Sequence, residues 1–197
     1  ADYRVRAVLA LGEVADERAL DKLLLLAQEQ GHFLQEAATE ALGHLGQTDK
    51  ADTIFKLLKK ALEEADYYSE MPTRALNGLR WLNTLASWQL VSDYSRTGQH
   101  YDNRCHALTL LQHWDTSGSR TRLLEAMQQD TDDDVVTAAY HSARRLWKLA
   151  DDEFSEIDIA VVRGHYPLLD ERKPLERIAK QASTEQLIQL VAGQLAA

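Results

Sequence analysis

A chain of 197 residues, 45% apolar and 27% charged, has the make-up of a folded globular protein, and three prolines with nine glycines argue against disordered linkers and turn-rich all-β folds. A formal charge of −9 argues against a general nucleic-acid binder, whose affinity comes from neutralising phosphates with Lys and Arg. No apolar run approaches the roughly 20 residues of a membrane span, and the single cysteine, Cys105, can form no internal disulfide, so a reducing, cytoplasmic setting is expected.

The first residues run straight into a helical pattern without an initiator methionine, which reads as a cut through a longer polypeptide. Ala10-Leu11-Gly12 then recurs 31 positions on as Ala41-Leu42-Gly43, and each copy opens a pair of amphipathic helices. Self-similarity at this period marks a stack of hairpins, none of which can bury its apolar face alone. Shifts of 31, 68, 100 and 132 bring five repeats into register, starting near residues 1, 33, 70, 101 and 133.

Three columns emerge in the first helices: Ala7, Ala38, Ala75, Ala107, Ala139; then Leu11, Leu42, Leu79, Leu111, Ala143; then Val14, Leu45, Leu82, Trp114, Leu146. Spacings of four and three put these on one helical face. The alanines predict close approach of neighbouring helices. In the second helices the column is Leu23, Ile54, Val91, Leu123.

Further along, Gly46 reads as the left-handed residue closing the second repeat's first helix. Extra residues between Glu63 and Pro72, including Tyr67 and Tyr68, lengthen a helix or form a loop, and Pro72 suits the first turn of the next one. After Trp147 the pattern is lost. The remainder, 151–197, predicts short helices, one opening at Ser183 with Gln186 as a capping box, that close the stack.

The columns resemble short HEAT-like repeats of the phycobilisome-lyase type, on Val5-Arg6, Ala10-Leu11-Gly12, Val14, Asp16, Ala19-Leu20 and Leu23. The second repeat keeps Ala37-Ala38, Ala41-Leu42-Gly43 and Leu45, with Gln35-Glu36 near the place of the valine–arginine pair; the third keeps Arg74-Ala75. The resemblance is strong over 1–62, weaker to 149 and absent beyond. It implies an all-α fold: a right-handed α–α superhelix of about five helical pairs over 1–150, with a helical C-terminal cap over 151–197. It also implies that Arg6 and Asp16 brace helices and turns. The fold hosts many unrelated roles, so it leaves function open.

Candidate chemistry is thin. Some HEAT-like proteins are di-iron hydroxylases with adjacent His-Glu pairs, but none of the seven histidines here precedes a glutamate. Asp130, Asp132 and Asp134 imitate a calcium loop, yet Val135 stands where glycine is needed and His141 where a bidentate glutamate is needed. They read better as a helix cap. Cys105, at a helix start beside Arg104, reads as a core thiol. Trp114 and Trp88 read as packed, Trp81 and Trp147 as partly exposed. The acidity concentrates between Asp130 and Asp158, with nine acids against three bases, whereas residues 1–60 carry ten against eight.

The expected role is therefore a non-catalytic protein–protein interaction scaffold, part of a larger protein, with no cofactor and no metal. Its partner is a protein or peptide, not nucleic acid or membrane. Candidate contacts are the non-core positions of the second helices and the insertion: Lys22, Lys56, Lys59, Tyr67, Tyr68, Gln89, Tyr94, Arg122 and Glu125. Alternatives are an accessory subunit of a bilin lyase, a relative of HEAT-like DNA repair glycosylases, and a mechanical spacer.

Overall fold

The computed structural model describes residues 3–29, 32–46, 48–65, 69–96 and 99–146. The expectations for Tyr67, Tyr68, Trp147 and the 151–197 cap lie outside them. The described residues are helical throughout, without a strand: α1 (Tyr3–Val14), a 3₁₀ turn (Glu17–Ala19), α2 (Leu20–Gln28), α3 (His32–His44), α4 (Ala51–Glu63), α5 (Met71–Leu82), α6 (Leu85–Tyr94), α7 (Tyr101–Leu111), α8 (Ser117–Gln129) and α9 (Asp133–Leu146). None of these helices is long and apolar enough to cross a membrane. They form two compact units, Ala1–Asp93 and Tyr94–Ala197.

In the N-terminal unit the first helices of successive repeats lie side by side, α3 between α1 and α5. Each second helix packs along the first helix of the following repeat, α2 on α3 and α4 on α5. Small residues make this possible. A Cβ on Gly12 would fall 2.7 Å from the Cα of Ala41, and one on Gly43 would collide with the backbone of Gly78. Ala41 and Gly78 both occupy the position that Ala10 holds in the first repeat, so the same crossing is made twice, glycine against a small residue. Arg74 fastens α5 to α3 through a 2.8 Å ion pair with Glu40, which also accepts from Asn77.

Most column positions are buried as expected. Ala38, Ala75, Ala107 and Ala139 are fully enclosed, as are Leu42, Leu79 and Leu111, and so is the second-helix column Leu23, Ile54, Val91 and Leu123. The first repeat departs from this. Ala7 is exposed, Leu11 is 43% exposed and Val14 71%. The cause is the packing scheme, since the cover for a first helix comes from the hairpin before it.

The turns obey the same register. Ala15 and Asn83, 68 positions apart, are both left-handed, with φ of 52° and 51°. Gly46, their counterpart and the expected left-handed residue, has no such φ; its missing side chain instead makes room for Leu82. The next residue caps the second helix. Asp16 accepts from the Arg18 amide, Thr84 from that of Ser87, and Thr116 from that of Ser119. Asp16 thus braces the turn as the resemblance implied, while Arg6 is exposed. Pro72 sits in the first turn of α5, where its missing N–H costs nothing.

The C-terminal unit packs α9 against both α7 and α8. Leu108, Leu111, Leu123, Met127, Val135 and Val136 are fully buried. Polar groups close the seams here. Arg104 of α7 pairs at 3.0 Å with Asp130 at the end of α8. Arg122 of α8, only 6% exposed, donates to both the hydroxyl and the carbonyl of Ser95 at 2.8 Å. Asp132 accepts from the amides of Asp134 and Val135 and so caps α9, the role expected of this acidic run.

Candidate binding groove

Within the N-terminal unit, the end of α2, the first half of α3, one face of α4 and the approach to α5 enclose a groove of about 750 Å³. Lys56, Lys60 and Glu64 recur every fourth residue, so α4 presents them as one row along the rim. Ala27, Leu57, Ala61 and Met71 supply apolar wall. Gln28, Gln35, Thr39, Thr53 and Ser69 supply hydrogen-bonding groups, and Glu36, only 5% exposed, sets a carboxylate into the wall.

The row is electrically asymmetric. Lys60 meets Glu64 at 3.8 Å and Lys59, beside the row, meets Glu63 at 3.7 Å, both exposed pairs of little energetic weight. Among the described residues Lys56 is unpaired, so its ammonium is available to an incoming anion. Two helical turns, about 12 Å, separate it from Glu64. An extended segment of several residues spans that distance, with positive charge at one end and negative at the other. On the wall, Gln35 donates to the Ala27 carbonyl at 3.4 Å and Thr39 to the Gln35 carbonyl at 2.8 Å. The Thr39 hydroxyl is thus spent on its own helix and is not held by a base. The donor set suits recognition of a peptide backbone better than bond making.

Of the residues expected to face a partner, only Lys56 lines this groove. Lys22, Lys59 and Gln89 are exposed elsewhere, Gln89 donating to Asp93. Three others belong to the C-terminal unit. Tyr94 is half-buried, and burial raises its phenol pKa. Arg122 corrects the expectation outright: it is buried on Ser95, and burial lowers its pKa, with Arg96 adding to the effect. Glu125 pairs with Arg96 at 3.0 Å and with Arg122 at 3.8 Å, part of the same internal brace. Lys60, Glu64, Gln28, Gln35 and Glu36 were not anticipated. The four-residue rhythm of Lys56, Lys60 and Glu64 was the available signal.

The reactive candidates resolve differently. Cys105 is half-buried, and burial together with Asp132, Asp134 and Asp102 raises its pKa to about 11, which keeps it a thiol at neutral pH. Trp114 is 8% exposed, as expected of core, and Trp81 is 41% exposed. Trp88 is half-buried. Among the described residues no three His, Cys, Asp or Glu side chains are grouped to hold a metal. Comparison with family models and with curated proteins finds no match.

Proposed function

We propose that this chain is a HEAT-like stack of helical hairpins, arranged as a right-handed superhelix, that acts as a non-catalytic scaffold and holds an extended peptide segment of a partner protein in the α2–α4 groove. The carrying observation is the groove itself: an unpaired lysine, a distant carboxylate and amide side chains along an apolar wall. An acidic residue of the segment sits at Lys56, aliphatic side chains rest on Leu57, Ala61 and Met71, and Gln28 and Gln35 meet its main chain. The repeated crossing of Gly12 on Ala41 and Gly43 on Gly78 supports the repeat assignment.

The test is selection from a random peptide-display library against the whole chain. Selected peptides are expected to be rich in Asp or Glu beside aliphatic residues, and to lose binding at least about tenfold, roughly 1.4 kcal/mol, in Lys56→Glu. Lys22→Glu, outside the groove, leaves binding unchanged. Binders indifferent to Lys56→Glu overturn the reading.

A further inference from the structure

One helix face in the N-terminal unit is apolar and open. Tyr3 is 85% exposed, Val14 71% and Leu11 43%, with Ala7 and Ala10 exposed between them. Their spacing gathers all five into one stripe along α1. The opposite side of α1 is in use, with Val8 and Gly12 buried in the packing against α3.

The repeat reveals what such a stripe accepts. Its counterparts in α3, Ala38, Ala41, Leu42 and Leu45, are at most 2% exposed. They lie under the hairpin that precedes α3: Gly12 of α1 meets Ala41, and α2 packs along the helix. In α5 the counterparts Ala75, Leu79 and Leu82 are equally enclosed, with Gly43 of α3 meeting Gly78 and α4 packing alongside. Two independent copies therefore specify one kind of cover. It has a first helix with glycine at the crossing and a second helix with an aliphatic row such as Ile54, Leu58 and Leu62.

We infer that the α1 stripe is a docking face for a helical hairpin built to this same pattern, its glycine crossing Ala10 as Gly12 crosses Ala41. A second copy of the chain does not fit the role. Its Gly12 and Gly43 are already occupied in their own crossings, and the corresponding positions of α7 and α9 carry Gln112 and Arg144, too bulky for backbones to close on an alanine. The face is independent of the groove and stands if the peptide reading fails.

The test duplicates residues 1–31 ahead of the full chain, which offers a hairpin with Gly12 and Leu23 in the native register. The graft is expected to raise the thermal midpoint by at least about 4 °C and to slow hydrogen exchange along the original α1. Placing Ala10→Glu and Val14→Glu on the original α1 removes both gains, while the same pair leaves the midpoint of the ungrafted chain nearly unchanged, because both positions are exposed. A graft that gives no protection, or protection indifferent to the glutamates, overturns the inference. So does a dimer of the ungrafted chain, seen by sedimentation, that Val14→Glu dissolves, since that assigns the stripe to a second copy.

Discussion

The two units solve the same packing problem with different chemistry. In the N-terminal unit, first helices cross where side chains are nearly absent, Gly12 on Ala41 and Gly43 on Gly78. In the C-terminal unit the seams carry long charged groups, Arg104 on Asp130 and Arg122 on Ser95. The first solution relies on close van der Waals contact and tolerates no added atom. The second relies on hydrogen bonds to a buried cation, strong only while every donor finds an acceptor. Similar apolar columns serve both, so the column sets the helix face and the crossing residues set how rigidly it is held.

Four substitutions or titrations would break or sharpen this contrast. The largest effect is expected from Gly43→Leu, whose side chain has no space against the Gly78 backbone. It should cost about 3 kcal/mol or more in urea unfolding, at the upper end of overpacking, and hydrogen exchange should show the loss within α3 and α5. A mild effect there would mean that the N-terminal crossing has slack. Next comes Arg122→Met, which keeps the packing but leaves the Ser95 hydroxyl and carbonyl unmet. A loss of about 2 kcal/mol is expected, with faster exchange in α8, and a neutral result would reduce the polar seam to decoration.

Smaller still is Ala15→Gly. Ala15 sits at φ 52°, where a Cβ is unfavourable, so glycine should stabilise by about 1 kcal/mol. Gly46→Ala should run the other way, because its Cβ meets Leu82. Opposite signs at equivalent positions would confirm that the two turns differ in backbone and not merely in sequence.

The last measurement is a proton NMR titration of His44 in one unit and His141 in the other. Burial lowers both pKa values from the ordinary 6.5; at His141 the neighbouring Arg144 and Arg145 add to it, while at His44 Glu40 and Glu13 oppose it. A depressed folded pKa means that stability is fully present above about 6.5 and erodes as pH falls through the folded midpoints. Both histidines are substantially solvated, so the effect on unfolding is expected to be slight. A midpoint above 6.5 at either would contradict the burial argument.

Much of the helical order was legible in advance. Repetition fixed the columns, and burial of Leu23, Ile54, Val91 and Leu123 followed from side-chain spacing alone. What stayed hidden depended on neighbours. Leu11 and Leu42 are the same residue in the same motif, yet one is exposed and the other enclosed, because burial is decided by the preceding hairpin. Gly46 looked like the left-handed turn, whereas Ala15 and Asn83 adopt that conformation; glycine can signal a close approach as well as a positive φ. Arg122 looked like a surface cation because arginine usually is one, and only the fold reveals Ser95 waiting for it. The groove was half legible: the row on α4 is local, but its far wall comes from α2 and α3.

Trp81 gives the N-terminal unit an optical signature. Its indole stacks on His44 at 4.2 Å between ring centres and carries the Arg80 guanidinium 4.2 Å from its own. An imidazole that gains a proton becomes an electron acceptor for an excited indole lying against it. Emission from Trp81 should therefore dim as acid reaches His44 and brighten again in His44→Phe, reporting the α3–α5 seam in real time without any attached dye.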